Sequence, residues 1–208
     1  MIDDIMRARR SVRVFRPEPP PRDLLLRMVE AAITAPSASN QQPWRYLAIT
    51  NRTVIRDLAL AVREAVEVVV THLKSSRKAA FREYSDSFTC FAEAPVVLAP
   101  LWKRSSLLSN LLDNSLPAEM RATIDRMEET TGLVGSSLAL GHLLLMAHEL
   151  GLGATCMTGP HLADDRIRAI LEVPETWNLL ALVPVGYPAE TPGPTPRKPA
   201  ERVLRFIE

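Results

Sequence analysis

The sequence predicts an α+β or α/β sandwich built around one β-sheet, with helices on its faces. Stretches of strand composition alternate with stretches of helical periodicity, and residues 134–150 predict an apolar helix at the centre of this arrangement. The chain has 208 residues, of which 47% are hydrophobic and 24% charged. A chain of this length can form one well-buried core but is short for two full domains, so we expect a single domain over residues 1–208.

Apolar spacing and helix breakers predict the elements of the first half. Pro36 ends a run in which apolar residues recur every three or four positions, and the run Val96-Val97-Leu98 suits a strand buried on both faces. Helices are predicted over residues 2–9, 22–35 and 54–80, and strands over residues 44–50 and 94–101.

The second half contains the least regular part of the sequence. Residues 103–131 mix charged, polar and leucine residues, which predicts helical pieces with mobile connections and the site of a lid or a substrate-specific insertion. The helix over residues 134–150 is apolar almost all round and is expected to be buried on most sides. Further predictions are a helix over residues 163–171, strands over residues 154–158, 179–187 and 203–207, and an extended proline-rich tail over residues 188–199.

Composition narrows the possible partners and location. The formal net charge of +1 opposes a surface made mainly for nucleic acid. Cys90 and Cys156 form no CxxC pair, and the acidic N-terminus has no secretory signal pattern, which favours reduced thiols and the cytoplasm. Residues 133–152 contain serine, histidine and glutamate, so a buried helix explains them better than a membrane span.

Several catalytic signatures are absent from the sequence. It has no G-x-G-x-x-G before a helix, no P-loop, no G-x-S-x-G and no H-E-x-x-H. The four histidines show no convincing metal-ligand spacing, so no metal site is predicted. Because no acid-base pair, metal or nucleophile is evident, we expect any difficult chemistry to reside in a bound cofactor.

Three segments are candidates for binding that cofactor. Arg9, Arg10, Ser11 and Arg13 form a cluster of phosphate-binding donors, although short arginine runs are often only solvated surface. Residues 36–44, Pro-Ser-Ala-Ser-Asn-Gln-Gln-Pro-Trp, form a polar loop that can bind a heterocycle or can be an ordinary helix-to-strand connection. Near the C-terminus, Arg197, Lys198 and Pro199 are a basic site or surface charge.

These segments, in this order, resemble the nitroreductase family of flavin mononucleotide (FMN) enzymes. The family has an R-x-S-x-[KR] start, a P-S-x-x-N-x-Q-P-W loop and a late basic residue. The first motif is Arg9 to Arg13 here, and the loop matches at every specified position. Residues 151–159 and 183–188 extend the similarity over nearly the whole chain. The resemblance implies a three-layer α+β sandwich with a central mixed sheet and terminal segments exchanged in a homodimer.

The resemblance also assigns roles to individual residues. It implies that Arg9, Arg10, Ser11 and Arg197, with Lys198 beside it, hold the phosphate and ribityl chain of FMN. Arg13 would lie at the pyrimidine edge of the ring, where a cation stabilises the charge that develops on reduction. The remaining implied contacts are Pro36, Ser37, Asn40 and Gln42, the first two from a second subunit, and the segment Met157, Thr158 and Gly159 beside the reactive nitrogen. Many relatives have a Gln-Asn pair in the central helix, where this chain has Gly141-His142.

The implied activity is that of an FMN-dependent oxidoreductase. It takes hydride from NADH or NADPH and reduces a small organic acceptor, such as a nitroaromatic or a quinone, by a ping-pong mechanism, with no membrane or nucleic-acid partner. The alternatives are a flavin-binding redox sensor or carrier without efficient turnover, and a specialised family member such as a dehalogenase or a flavin-modifying enzyme.

Overall fold

The structure of the chain, a computed structural model, describes residues 1–208 and contains six α-helices and five β-strands. The helices are α1 (Ile2–Ala8), α2 (Arg22–Ala32), α3 (Arg52–His72), α4 (Ser75–Asp86), α5 (Ala118–Glu149) and α6 (Asp164–Ile170). The strands are β1 (Trp44–Ile49), β2 (Val96–Trp102), β3 (Gly153–Ala154), β4 (Asn178–Leu179) and β5 (Val183–Gly186). The predicted α+β class is confirmed.

Strand β2 lies at the centre of the sheet. The strand order is β1-β2-β5-β3, and β4 pairs with the end of β2. All of these pairs are antiparallel, and a parallel component enters through an isolated bridge between Ser11 and Ala154. The strand predicted over residues 179–187 is divided into β4 and β5, because Leu180 donates to Pro100 O (2.8 Å) and Leu182 pairs with Met157 between them.

Helices cover both faces of the sheet and give it the predicted three layers. On one face, α3 and α6 contribute Ile55 and Ile167, which are fully buried. On the other face, α2 and α5 contribute Met28 and Leu143. The pleat of β2 supplies alternating residues to the two cores, in the order Val96, Val97, Leu98 and Ala99.

The helix predicted over residues 54–80 is instead two helices. Asn51 caps α3, because its side-chain oxygen accepts from Thr53 N at 2.9 Å. The chain becomes extended at Leu73 and Lys74 before α4 begins. Helix α4 is mostly exposed and buries little apolar surface, so the apolar periodicity that supports α3 does not continue through it.

Helix α5 is longer than predicted and less buried. It begins at Ala118, so the short helical pieces predicted within residues 103–131 are wrong for residues 118–131, which belong to this one helix. Residues 103–117 contain a single short 3-10 turn, Ser109–Leu111. Leu133, Val134 and Leu138 are 40%, 50% and 45% exposed, so the expectation of a helix buried on most sides is wrong for a single chain. The helix is long and apolar enough to cross a membrane, a test that the core helix of a soluble protein also passes. Its packing against α2 and the sheet fits the core helix.

The C-terminal tail does not return to the sheet in this chain. Residues 188–199 contain no helix or strand, as predicted, and a short 3-10 turn follows at Ala200–Arg202. The predicted edge strand over residues 203–207 is wrong, because these residues pair with no strand. Val203, Phe206 and Ile207 are 71%, 78% and 92% exposed, so the tail leaves apolar side chains without partners in the chain.

Glu128 is a buried carboxylate that fixes the segment before α5. Its side chain is 2% exposed and accepts from Leu108 N (2.7 Å), Ser109 N (2.9 Å) and Arg104 Nη2 (2.8 Å). Burial by itself would raise the pKa of Glu128, but these hydrogen bonds outweigh it and lower the pKa to about 2. Arg104 also pairs with Asp125 at 2.5 Å. These contacts anchor residues 104–109 to the helix.

We expect Glu128→Gln to lower the free energy of unfolding by about 3 kcal/mol at neutral pH, because it leaves Arg104 without its buried partner. A carboxylate whose pKa is lower in the folded state stabilises that state fully when the pH is above the unfolded-state pKa of about 4.3. This stabilisation is lost progressively as the pH falls towards the folded-state pKa of about 2. The difference between wild type and variant should therefore be constant above about pH 5 and should shrink below it.

Urea unfolding at a series of pH values measures this difference. Glu129→Gln is the matched control, because Glu129 is exposed and makes no ion pair, and it should change the stability by less than about 0.5 kcal/mol. A Glu128→Gln variant as stable as Glu129→Gln at pH 7 would contradict the prediction.

Candidate functional site

The N-terminal arginine cluster is fixed at the β3 edge of the sheet. Ser11 forms a parallel bridge with Ala154, and Val12 N donates to Ala154 O at 3.3 Å. The approach requires glycine at position 153, since a Cβ atom there would lie 2.7 Å from the Cβ atom of Val12. The cluster and β3, which are distant in sequence, are therefore neighbours in the fold.

The guanidinium groups of this cluster have no acidic partners. Arg9, Arg10 and Arg13 form no salt bridge. Arg10 Nη1 donates to the carbonyls of Arg7 (2.5 Å) and Arg9 (2.9 Å), and Arg13 Nη1 donates weakly to Ser11 O (3.5 Å). Most of their donors remain available, and such a donor set matches phosphate oxygens.

Glu190 holds the same segment from the other side. Its Oε1 accepts from the backbone N–H groups of Arg13 (2.7 Å) and Val14 (3.1 Å). Two further backbone bonds join the segments, Arg16 N to Tyr187 O (2.8 Å) and Ala189 N to Val14 O (3.0 Å). The sequence analysis missed Glu190, because a single glutamate beside a proline-rich tail has no periodicity or motif that marks it.

The segment from Met157 to Gly159 lies in the same region. Cys90 Sγ is 3.5 Å from Met157 Sδ, and the ring of Phe88 packs so closely on Gly159 that a Cβ atom would lie 2.4 Å from it. Burial raises the pKa of the Cys90 thiol, while the charge of Arg13 opposes that increase. Ser11 pairs with Ala154, three residues before Met157, so the two predicted segments are neighbours in the fold.

The loop before β1 has an unusual backbone. Ser39, Asn40 and Gln42 have φ angles of 50°, 51° and 47°, in the left-handed region that non-glycine residues seldom adopt. Gln42 N donates to Ser37 Oγ at 3.0 Å, and Gln42 Nε2 donates to Asn40 Oδ1 at 3.3 Å. Backbone strain of this kind persists where the surroundings enforce it and is concentrated at functional sites.

Helix α5 provides those surroundings. Ser136 Oγ donates to Pro43 O at 3.1 Å, and Ser37 and Pro43 lie beside Gly135 of the helix. Ser105 Oγ donates to Gln41 Oε1 at 2.6 Å, which joins the loop to the segment anchored by Glu128. The loop is thus held on two sides.

A cavity of about 680 Å³ lies between this loop and α5. On the helix side, the wall includes Arg126 and Met127, which belong to the segment predicted as a lid or insertion. On the loop side, it includes Pro36 and Ser37, which are predicted to contact the flavin. Lining residues are Pro36, Ser37, Arg126, Met127, Thr130 and Val134, among others. It is an open surface groove, because Met127, Val134 and Leu138 in its wall are about half exposed.

The structure does not bring all the predicted residues together in one chain. The loop enters the sheet at the β1 edge, whereas Ser11, Arg13 and Met157 are at the β3 edge. Three strand spacings of about 4.8 Å separate these edges by roughly 14 Å. Arg197 and Lys198 lie exposed in the tail, and the side chain of Arg197 contacts only Pro196 O (3.4 Å).

Comparison with known proteins is consistent with this geometry. Residues 6–187 match the family model described as the Nitroreductase family. The chain belongs to the nitroreductase family. It is 35% identical to an NADH dehydrogenase of Thermus thermophilus, over 94% of this chain and 91% of the relative.

Solved structures support the same fold. A BluB-like flavoprotein from Clostridium difficile 630 superposes with a TM-score of 0.87 and 25% identity, covering 100% of this chain and 99% of the other. An oxidised iodotyrosine deiodinase, bound to FMN and 3-iodo-L-tyrosine, superposes with a TM-score of 0.75 and 24% identity, with both chains covered fully. The nitroreductase-like fold predicted from the sequence is confirmed, and the family is one of flavin-containing oxidoreductases.

Proposed function

We propose that the protein is an FMN-dependent oxidoreductase that takes hydride from NADH or NADPH and then reduces a small organic acceptor, such as a nitroaromatic or a quinone, in a ping-pong cycle. One observation carries the proposal: the unpaired arginines of the N-terminal cluster are fixed at the β3 edge, where Ser11 pairs with Ala154, three residues before Met157. FMN, when bound, would accept the hydride and pass the electrons to the acceptor.

The residues at this edge fit FMN by the chemistry of their donors. In the proposed site Arg9, Arg10 and Ser11 bind the phosphate and ribityl chain, and their guanidinium donors face no competing carboxylate. Arg13 binds the pyrimidine edge, and Glu190 fixes the backbone from which its side chain extends. A positive charge held in that position favours the reduced cofactor without any proton transfer from a side chain.

The segment Met157, Thr158 and Gly159 is the proposed wall beside the ring. Met157 is fixed by two backbone hydrogen bonds with Leu182, of 2.9 and 3.1 Å, and Gly159 is fixed by its close contact with Phe88. Rigid supports of this kind hold backbone donors in one orientation, which a site needs in order to select one geometry of the reacting groups.

We further propose that a second copy of the chain completes the site, in a homodimer. Pro36, Ser37, Asn40 and Gln42 are at the opposite sheet edge from Arg13, so in one chain they reach a different region. The exposed apolar face of α5 lies next to this loop. If that face packs on a second copy, the loop of one copy can meet the flavin held by the other, and apolar surface is buried.

The exposed tail supports exchange of terminal segments in this dimer. Strand β1 has a free edge, and beside it a cavity of about 590 Å³ is lined by Leu25, Val29 and Tyr46. The Tyr46 hydroxyl is buried without a hydrogen-bond partner, and burial raises its pKa to about 12. Apolar residues from a partner's tail would fill this space. The same exchange is the proposed route by which Arg197 and Lys198 approach the phosphate.

The first prediction is that the purified protein retains FMN and is reduced by NADH or NADPH faster than free FMN. Absorbance spectra after addition of excess FMN and desalting measure retention, and stopped-flow mixing measures reduction. Acceptors should include a nitroaromatic, a quinone and 3-iodo-L-tyrosine, the last because the deiodinase neighbour binds it. Absence of bound flavin would contradict the proposal, and reduction no faster than that of free flavin would favour a sensor or carrier.

The second prediction tests the phosphate site. Ser11→Ala should weaken FMN affinity about fivefold and Arg197→Ala about tenfold or more, because hydrogen bonds to a charged phosphate are worth more than neutral ones. Thermal unfolding of both variants without FMN should match that of wild type. Fluorescence titration of FMN measures the affinities, and Arg27→Ala, at an exposed arginine of α2 with no side-chain contact, is the control. Unchanged affinity in both variants would show that the phosphate site is misassigned.

The third prediction tests the dimer. Leu138→Glu places a charge on the exposed face of α5 and should give a monomer that loses FMN, because a charge is costly to bury in an apolar interface. Sedimentation of wild type and variant measures the oligomeric state. Leu60→Glu, at a leucine of α3 with 47% exposure, is matched in chemistry and exposure to Leu138 at 45%, and it should remain a dimer. A monomeric wild type that retains FMN would contradict the proposal.

A further inference from the structure

Two neighbouring backbone N–H groups, those of Arg13 and Val14, donate to no carbonyl of the chain. Before this point the N-terminal segment pairs with β3, and beyond it the segment pairs with residues 187–189. Both N–H groups instead donate to one oxygen, Glu190 Oε1, at 2.7 and 3.1 Å. Glu190 therefore closes a gap in the backbone pairing, at the position from which the Arg13 side chain extends.

The contact has the chemistry of a small anion site. Consecutive backbone N–H groups that converge on one oxygen bind anions, and hydrogen bonds to a charged acceptor are stronger than those to a neutral one. Here the anion is the carboxylate of Glu190, which is half-buried. The backbone of Arg13 is therefore held by a charge-assisted contact and not only by the pairing on either side.

Glu190 binds the backbone of Arg13 and leaves its side chain free. No salt bridge joins the two side chains, and the Arg13 guanidinium makes one weak hydrogen bond, to Ser11 O at 3.5 Å. A guanidinium that was paired with a carboxylate would have fewer donors for another anion. In this arrangement the charge of Arg13 stays available for the ring of a bound flavin.

The two side chains nevertheless bring opposite charges to the same segment. The pKa of the Cys90 thiol shows the sign of each effect: burial raises it most, the charge of Arg13 lowers it, and the charge of Glu190 raises it. Negative charge that develops on a flavin ring would respond in the same way, because a cation stabilises it and an anion destabilises it. Glu190 thus supports Arg13 through its hydrogen bonds and opposes it through its charge.

We infer that Glu190 is a positioning residue that sets the reduction potential of the bound flavin through Arg13. Its hydrogen bonds hold the backbone that carries the guanidinium, which raises the potential, and its own charge lowers the potential. The inference rests on the proposed function, because it requires FMN beside Arg13. Glu190 itself takes no part in electron or proton transfer.

Glu190→Gln and Glu190→Ala separate the two effects. Glu190→Gln keeps an oxygen for the two N–H groups and removes the charge, so the reduction potential of bound FMN should rise above that of wild type. Glu190→Ala also removes the acceptor, so Arg13 is no longer held. Its equilibrium constant for reduction should be roughly tenfold below that of Glu190→Gln, which is about 30 mV for a two-electron couple.

Reductive titration against a reference dye measures these potentials. Glu30→Gln is the matched control, because Glu30 is exposed in α2 and its side chain makes no hydrogen bond or salt bridge. It removes the same charge and should leave the potential unchanged. Potentials of Glu190→Gln and Glu190→Ala that both equal that of wild type would overturn the inference.

An Arg13→Gln background shows whether the effect passes through the guanidinium. The two backbone N–H groups remain in this background, but there is no side-chain charge to position. The difference in potential between Glu190→Gln and Glu190→Ala should therefore vanish. A difference that persists at full size would overturn the inference, because Glu190 would then act without Arg13.

Backbone amide exchange in the protein without FMN tests the contact separately from the proposed function. In Glu190→Ala the amides of Arg13 and Val14 should exchange roughly tenfold faster than in wild type, and Glu190→Gln should keep most of their protection. The amide of Arg16, which donates to Tyr187 O, is the internal control and should stay protected.

The two failures are distinguishable. Unchanged exchange at Arg13 and Val14 in Glu190→Ala would overturn the inference, while wild type that retains and reduces FMN would leave the proposed oxidoreductase standing. Wild type that retains no FMN would overturn both the proposed function and the control of its potential. Faster exchange in Glu190→Ala would still support the role of Glu190 in holding Arg13.

Discussion

The burial of β2 on both faces determines where everything else in this chain lies. Its alternating residues belong to two separate hydrophobic cores, so helices must cover both sides of the sheet. Because β2 is central, β1 and β3 become the outer strands, and each of them carries one predicted binding segment. The strand order β1-β2-β5-β3 therefore separates those segments in one chain.

That separation links binding to association. The loop before β1 keeps three non-glycine residues at positive φ, and contacts with α5 stabilise this conformation. Such a loop keeps its polar side chains in one arrangement through contacts within the chain. The apolar face of α5 and the apolar tail are likewise exposed in one chain. In the proposed homodimer, a second copy covers the exposed helix face and the exposed tail.

Sequence predicted the elements that depend on local pattern and missed those that depend on distant partners. The apolar run of β2 and the motif from Arg9 to Arg13 were recognisable because their signals are contiguous. The break at Leu73 was missed because helical propensity continues on both sides of it. Glu128 and Glu190 were missed because a charged residue signals its burial or its hydrogen bonds only through partners far away in sequence. The strand predicted over residues 203–207 has the right composition, but no neighbouring strand in the same chain pairs with it.

The arginines of this protein include some that are paired with carboxylates and some that are not. Two arginines of the outer helices are paired, Arg82 with Glu67 and Arg166 with Glu64. Pairs of this kind contribute little energy, yet they leave no net local field. The N-terminal cluster lacks such partners, as do the isolated exposed arginines Arg27 and Arg77. The cluster differs from them because it places Arg9, Arg10 and Arg13 within five residues, which makes one region positive although the total charge is near neutral. Because Ser11 and Val12 pair with Ala154 of β3, this positive charge is held at one edge of the sheet, where it favours an anionic ligand.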